Sequence, residues 1–381
     1  MRGLLSFPHR LRDARGIRMA RLTTESARGA AKPSADCWSK RQAWILTGGG
    51  RAESLYTEER GYPFEQGELP HHHLLASSTA EAFAIWRGVG RRCPDAIVGA
   101  WRRTWFEGGG DRTTDADEAC FNLQTPTIFI DLRIPTSRPS FRGCGRLEDL
   151  SAAELRQLAR QHVFCGYTLA HGDVCTRHHA LDWNFVGVPR SRPNKWTVAP
   201  LQGATDAWVE ASFALDDAGA PYYTECWERL TRGSPADGVV LAMRAAPESL
   251  RDSFVVIIGD HFSYIRARPQ PASQVGGASS LVDLVDDAVN KGDRTLAESF
   301  LSLEAGHGTI SSGWMIDASI HPWQQGTRFL NPTDIGRVRS SPNDSSIISV
   351  ELCGEQFHVL ENSLASAAEL QSFLSKEKST S

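Results

Sequence analysis

Charged and aromatic residues at alternating positions are the features of this sequence that could do chemistry. The segment Ile128–Ile134 alternates apolar residues with Phe129, Asp131 and Arg133. Residues two apart on a strand project to the same side, about 6.6 Å apart, and a carboxylate and a guanidinium beside an aromatic ring suit a polar-headed apolar molecule. An exposed sheet face produces the same alternation, so a ligand-binding face and a solvent face both remain open.

Tryptophans supply further ligand-binding candidates. Trp101, Arg103 and Trp105 share one face of a predicted strand, where the arginine can stack on either indole. This arrangement fits an aromatic pocket with one cation for an anionic ligand, and equally a tryptophan-rich barrel end that the arginine caps. Trp183 and Trp227 complete the set, since large aromatic side chains line ligand pockets, although they also fill cores.

Acid–base chemistry has candidates on a later strand. Tyr223 and Glu225 share a face, and if they face a cavity they could act as acid and base in a proton shuttle. A cross-strand salt bridge of Glu225 is the alternative. With His178 and Asp131 they make up the set of catalytic candidates.

Two neighbouring histidines, His178 and His179, lie on a predicted strand and point to opposite faces, so they cannot share a site. Pairing His178 with Asp182 fails on distance, because four strand residues span about 13 Å. A histidine base here therefore needs a carboxylate from a neighbouring strand, such as Asp131 or Glu225.

Signatures of nucleotide-driven enzymes, α/β-hydrolases and zinc proteases are absent from the sequence. The cysteines are scattered without a C-x-x-C pair, and no second pair of ligands stands at a spacing recognisable for zinc. We therefore predict neither a cofactor nor a metal site.

About a dozen short strands joined by turns, with few helices, predict a mostly β fold. The clearest signals are the hairpin Asp252–Arg268 and a helix that Ser151 and Glu154 cap. Successive strands without helices between them exclude a doubly wound parallel sheet. An antiparallel meander of this length usually loses its edges by closure, so we predict that it closes into one or two barrels.

Gly99-Ala100-Trp101 opens the first strand of the β region and resembles the G-x-W signature of lipocalins and the wider calycin group. The segment Leu123–Pro135 looks like one found in uncharacterised microbial lipocalin-like proteins. The resemblance implies lipocalin-like barrels, in which the tryptophan packs across the closed end beside an arginine from the final strand. Arg266 or Arg268, at the end of the predicted hairpin, is the expected partner.

Changes in composition divide the chain into four predicted parts. Residues 1–78 form an irregular extension, either disordered or transit-like. Residues 79–190 form a first β unit with one inserted helix, and residues 191–362 form a second β unit beyond a loop rich in proline and arginine. Residues 363–381 form a C-terminal helix and tail.

The composition of the 381 residues, 41% hydrophobic and 23% charged, is that of a globular protein. The formal charge of −4 provides no basic field for nucleic acid. No apolar run approaches the roughly 20 residues of a membrane-spanning helix. No apolar secretory segment is present, which favours the cytoplasm, and the arginine-rich first residues give a mitochondrial location as the alternative.

Three functions remain open. The first is binding of a small hydrophobic or amphipathic molecule in an aromatic-lined barrel. The second is a cofactor-independent isomerase, cyclase or lyase acting on such a molecule, for example in secondary metabolism. The third is an interaction module without a ligand. If a ligand cavity exists, Arg133→Ala and Glu225→Ala are expected to abolish binding or turnover and to change the melting temperature little.

Overall fold

The structure of the chain, a computed structural model, describes residues 42–47, 51–57, 92–108, 113–114, 118–141, 143–171, 174–184, 186, 194–201, 204, 206–215, 219–269, 280–340 and 347–375. A predicted helix at 79–88 and most of the predicted extension lie outside these residues. Strands β1 (Gln42–Thr47) and β2 (Arg51–Thr57) pair antiparallel. Within the described part of the chain, no helix is long and apolar enough to cross a membrane.

Eight antiparallel strands form a closed barrel, which confirms the prediction of a mostly β fold with barrel closure. Each strand pairs with the next in sequence, and the last pairs back with the first, which leaves no free edge. A strand of two residues, β4 (Thr113–Thr114), pairs with the end of the first barrel strand. The barrel strands are β3 (Gly99–Gly108), β5 (Glu118–Gln124), β6 (Ile128–Pro135), β7 (His162–His171), β8 (Val174–Asp182), β9 (Asn194–Pro200), β10 (Ala207–Ser212) and β11 (Tyr223–Arg229).

A second antiparallel sheet of eight strands follows in the order β16-β15-β14-β13-β12-β19-β18-β17. Its strands are β12 (Val239–Ala245), β13 (Ser253–Gly259), β14 (His261–Arg266), β15 (Glu304–Thr309), β16 (Met315–Ser319), β17 (Ile335–Ser340), β18 (Ile347–Leu352) and β19 (Glu355–Asn362). The predicted hairpin is confirmed as β13 and β14. The barrel extends past the predicted boundary near residue 190, because the loop there joins β8 to β9, which are neighbours in the same barrel.

Four α-helices accompany the sheets within the described residues: α1 (Ala152–Leu158), α2 (Leu281–Asn290), α3 (Arg294–Phe300) and α4 (Ala367–Leu374). Helix α1 begins with the predicted capping box, in which the Ser151 hydroxyl accepts from the Glu154 backbone N–H at 3.3 Å and the Glu154 carboxylate accepts from Ser151. Helix α3 and strands β15 and β17 were not predicted from the sequence.

The largest apolar core lies between the barrel and the second sheet. Ile128, Ile130 and Leu132 of β6 are fully buried there against apolar residues of β13, including Phe254 and Val256. Burial of each such side chain contributes about 1.5–3 kcal/mol. The outward face of β6 thus anchors the barrel, and the alternate residues of the strand must face the barrel interior.

The closed end of the barrel carries the tryptophan–arginine contact that the G-x-W resemblance implied, with a different arginine. Arg229, the last residue of the last barrel strand, lies over the Trp101 ring at 4.1 Å and donates to the Val98 carbonyl at 3.1 Å. The Trp101 indole N–H donates to the Ile97 carbonyl at 2.8 Å. A side chain at Gly99 would displace the Arg229 guanidinium and press on the Trp101 ring, so glycine at the first position of the motif leaves room for their contact.

The expectation that Arg266 or Arg268 is this partner is wrong, because both follow the barrel in sequence. Arg266 ends β14 in the second sheet and pairs with Glu355 at 3.6 Å. Arg268 donates to the backbone carbonyl of Trp183 at 2.6 Å.

A buried histidine joins the barrel to the second sheet. The His307 ring stacks on Phe121 of the barrel at 4.5 Å and on His261 at 5.3 Å, and its Nδ1 lies 3.0 Å from the Ser263 hydroxyl. Burial, reinforced by the neighbouring His261, lowers the pKa of His307 to about 3. Burial likewise lowers the pKa of His321 to about 4.

This junction predicts a loss of stability in mild acid. An unfolded histidine has a pKa of about 6.5, so below that pH the unfolded state binds a proton that the native state does not. The free energy of unfolding therefore falls by about 1.6 kcal/mol between pH 6.5 and pH 5 for His307 alone. We expect the difference in the free energy of unfolding between the two pH values, measured by urea denaturation, to be smaller by that amount in His307→Phe.

The matched control is His358→Gln, which changes a partly exposed histidine of β19. It should leave the difference in the free energy of unfolding between the two pH values as it is in the unmodified protein. If His307→Phe also leaves this difference unchanged, the histidine is not held neutral in the native state.

Candidate functional site inside the barrel

The inward faces of the barrel strands bring buried charges into one layer. Alternation puts three arginines and three carboxylates on the inner side of β3, β6, β8, β10 and β11, and all six are at most partly accessible. Such burial is tolerated only when the charges are paired. The layer consists of Arg103, Arg133, Arg177, Asp131, Glu210 and Glu225.

Asp131 binds two guanidinium groups. Arg133 donates to it through Nε at 2.8 Å and Nη2 at 3.1 Å, and Arg177 donates through Nη1 at 3.2 Å. Burial favours the protonated carboxyl, but the charge and hydrogen bonds of Arg133 and the charge of Arg177 outweigh it and lower the pKa of Asp131. Asp131 is therefore an anchor for the two arginines and remains ionised at neutral pH.

Glu225 also binds two guanidinium groups. Its Oε1 accepts from Arg103 Nη1 at 2.7 Å and from Arg133 Nη1 at 2.9 Å. Arg103 further donates to Glu118 at 2.9 Å. The cross-strand salt bridge, one of the two alternatives for Glu225 in the sequence, is thus the one present.

Glu210 differs from the other two carboxylates, because no arginine donates to it. It lies in register with Glu225 on the neighbouring strand, and its Oε1 accepts from the Tyr223 hydroxyl at 2.7 Å. Burial raises the pKa of Glu210 to about 7; the charge of Arg177 opposes this rise, and Glu225 reinforces it. Its Oε2 is buried without a hydrogen-bond partner. Glu210 is therefore the carboxyl of the layer that can change protonation state near neutral pH.

Arg177 has one engaged nitrogen and two unengaged ones. Nη1 binds Asp131, whereas Nε and Nη2 have no hydrogen-bond partner although the side chain is 1% exposed. The faces of the guanidinium are occupied by aromatic rings, Phe129 at 4.6 Å and Trp196 at 5.1 Å. The Nε–Nη2 edge is consequently the part of Arg177 that is left to bind something else.

Other buried polar atoms of the barrel strands also have no hydrogen-bond partner. They include both atoms of the Asn122 amide, Arg103 Nε, and the indole N–H groups of Trp196, Trp208 and Trp227. Most of these atoms are hydrogen-bond donors. Because buried polar groups are normally paired, a set of unpaired donors indicates a place for a molecule that carries acceptor oxygens.

Stacked tryptophans fill the interior beside the closed end. Trp208 stacks on Trp196 at 5.6 Å and on Trp227 at 5.9 Å, and Trp101 meets it edge-on at 5.9 Å. These rings form one buried cluster with Cys120 and other small residues. They close the barrel beneath the charged layer.

Aromatic rings also flank the charged layer on its more accessible side. Phe106 stacks on Tyr223 at 6.5 Å and lies 5.0 Å from the Arg103 guanidinium. Phe164 stacks on His179 at 4.3 Å and lies 5.5 Å from the Arg133 guanidinium. The layer is thus enclosed between apolar surfaces, which suits a ligand with polar and apolar parts.

Most of the predicted site residues meet in this interior. The structure places Trp101, Arg103, Phe129, Asp131, Arg133, Tyr223, Glu225 and Trp227 there. Trp105 is not among them, because the pairing of β3 with β11 shifts between Cys226 and Trp227. The bulge reverses the alternation, so that Phe106 takes the place expected for Trp105.

Two further candidates lie elsewhere or are not described. Trp183 packs in the core between barrel and second sheet, with its ring 5.7 Å from the Arg268 guanidinium. His178 lies in β8 in register with Tyr167, and its side chain is outside the described part of the structure. His179 is the histidine that reaches Asp182, at 2.6 Å.

Sequence reasoning missed two contributors to the site, Arg177 and Glu210, and of the two histidines that it considered it placed His178 rather than His179 among the candidates. A usable signal for Glu210 was present, because Trp208, Glu210 and Ser212 alternate with Val209 and Ala211 as the residues of β11 do. Among the residues that the structure describes, no group of three or more histidine, cysteine, aspartate or glutamate side chains could hold a metal ion.

No family model and no curated protein matches the chain. A solved structure of an uncharacterized protein from Saccharomyces cerevisiae is similar, with 12% sequence identity and a TM-score of 0.40, over 70% of this chain and 99% of that one. A likeness at that level carries no argument about function. The eight-stranded closed barrel is compatible with a calycin-like barrel.

The pairing of Glu225 changes what its removal is expected to do. Glu225→Gln leaves Arg103 and Arg133 buried beside a neutral amide, and breaking a buried ion pair in this way costs about 3–5 kcal/mol. Denaturant unfolding should show that loss. This replaces the expectation from the sequence that removing Glu225 would change the melting temperature little.

Glu228→Gln is the matched control, since Glu228 lies three residues along the same strand on the opposite, partly exposed face. It should change the free energy of unfolding by less than about 0.5 kcal/mol. Equal effects of the two substitutions would mean that the Glu225 ion pairs do not stabilise the barrel.

Proposed function

We propose that the barrel binds a small amphipathic molecule whose oxygen-bearing end enters the charged layer. The observation that carries this proposal is the set of buried, unpaired hydrogen-bond donors on the barrel strands, among them Arg177, Asn122 in register with Asp131, and Trp196 beside Arg177. Leaving such a group unpaired costs about 1–3 kcal/mol. A bound molecule with acceptor oxygens would recover that free energy, and binding would gain from it.

The aromatic side chains around the layer support an apolar remainder for the ligand. Phe106, Phe129 and Phe164 flank the charged residues, and rings of this kind contribute both buried area and stacking. The Gly99–Trp101 motif with Arg229 at the closed end also favours grouping this barrel with lipocalin-like binding proteins. Both points agree with a ligand that is apolar at one end and polar at the other.

Catalysis on the bound molecule is the second candidate function. It is favoured by Glu210, a buried carboxyl whose pKa is raised to about 7 and whose Oε2 is unpaired. A group with a pKa near the working pH is suited to general acid–base catalysis. Together with Tyr223 it would serve a cofactor-independent isomerase, cyclase or lyase. Glu210 then takes the role that the sequence suggested for Glu225, which is occupied by two arginines.

Asn122→Leu tests the binding proposal. The Asn122 amide is fully buried with both polar atoms unpaired, so an apolar residue of similar size should raise the free energy of unfolding by about 1 kcal/mol. The same change should weaken binding of prodan, a neutral amphipathic ketone dye. Binding is measured by energy transfer from the barrel tryptophans to the dye.

Asn362→Leu is the matched control. The Asn362 side chain donates to the Leu364 carbonyl at 2.8 Å and accepts from the Leu364 N–H at 3.0 Å, outside the barrel. Its replacement should lower stability and leave dye binding unchanged. The proposal fails if prodan does not bind, or if it binds without energy transfer and with equal affinity in all three proteins.

A further inference from the structure

We propose that the molecule held in the barrel carries a carboxylate, which binds along the Nε–Nη2 edge of Arg177 while Glu210 takes up a proton and donates it to the same carboxylate. This inference rests on the function proposed above and names the class of ligand. It also predicts that binding is coupled to proton uptake.

The geometry of Arg177 selects a planar, two-oxygen acceptor. Nε and Nη2 lie on one edge of the guanidinium, and their two N–H bonds run nearly parallel, at the spacing of the two oxygens of a carboxylate. Asp131 holds the other end of the group, and Phe129 and Trp196 cover its faces. The guanidinium is thus fixed before a ligand arrives, so little side-chain entropy is lost on binding.

The charges of the layer decide which protonation state can accept an anion. Its three guanidiniums face the carboxylates of Asp131 and Glu225, with the partly exposed Glu118 as a third. These charges balance when Glu210 is neutral. An incoming carboxylate leaves the layer with one uncompensated negative charge when Glu210 is protonated and with two when Glu210 is ionised, and a second buried charge of the same sign is costly. Anion binding therefore requires Glu210 to be protonated.

The hydrogen bonds of Glu210 place its proton where the ligand needs it. Oε1 already accepts from the Tyr223 hydroxyl, so the proton belongs on Oε2, which has no partner. Protonated Oε2 donates to the ligand carboxylate, which then accepts two bonds from Arg177 and one from Glu210. No bond of the ligand breaks in this process, and the single proton comes from solvent.

The charged and titratable groups that act on Glu210 come from three other strands. Tyr223 and Glu225 are on β11, Arg177 is on β8 and Arg133 is on β6. Because the pKa of Glu210 is raised to about 7, this carboxyl is mostly ionised at pH 8 in the protein without ligand. Binding at that pH should then take up about one proton per molecule.

Calorimetric titration with two matched probes tests the inference. Naphthylacetate and its neutral amide, naphthylacetamide, are added to the full chain at pH 8 in buffers of different ionisation enthalpy. We expect naphthylacetate to bind at least about tenfold more tightly than the amide, with uptake of about one proton. Glu210→Gln should still bind naphthylacetate, without proton uptake.

Arg177→Lys should remove the preference for the acid over the amide, because a lysine keeps a charge near Asp131 and lacks the two-pronged edge. Arg177→Met is the second variant, and circular dichroism establishes that each variant is folded. Arg102→Met, which removes a charge from the exposed face of β3, is the control and should keep the preference.

Each other outcome contradicts a definite statement. Equal binding of acid and amide without proton uptake overturns the carboxylate site and leaves the binding function standing. Proton uptake that persists in Glu210→Gln assigns the proton to another group and overturns the role of Glu210. If neither probe binds and prodan also fails to bind, the proposed function itself is wrong.

Discussion

Burying three guanidinium groups inside one barrel is the constraint on which the rest of the site depends. An arginine stays charged at any ordinary pH, so each of these groups must find a carboxylate or destabilise the fold. Asp131 and Glu225 each accept from two of the guanidiniums, and Arg133 bridges them. This sharing leaves Arg177 with one ionic contact and an unpaired edge. It also leaves Glu210 without an arginine, so burial governs its pKa.

The position of the charged layer follows from the alternation of strand residues. The outward residues of β6, such as Ile130, pack into the core with the second sheet. The alternate residues, such as Asp131, must therefore point into the barrel. The closed end fixes the depth of the layer. Arg229 over Trp101 and the stacked tryptophans fill that end, so the charges lie above an apolar floor and beneath the rings of Phe106 and Phe164.

The sequence predicted the parts of this arrangement that depend on uninterrupted local patterns. The antiparallel fold, the β13–β14 hairpin and the face shared by Phe129 and Asp131 came from strand alternation, which β6 keeps without a bulge. Trp105 was misplaced because a bulge reverses the parity of β3. The partner of Trp101 was misplaced because barrel closure is set by long-range pairing, and Arg229 is 128 positions further along the chain. Alternation alone could have placed Glu210 on the inner face. That no arginine pairs with it depends on which strands are neighbours, and only the assembled barrel shows this.

Native mass spectrometry of the protein purified from its own source tests the central claim most directly. The account predicts a mass above that of the polypeptide, and release on denaturation of one small molecule that carries a carboxylate and an apolar part. Arg177→Lys, purified in the same way, should carry much less of it. The bare polypeptide mass in both proteins, or an equal load of a molecule without acceptor oxygens, would contradict the claim that the Arg177 edge is a ligand site.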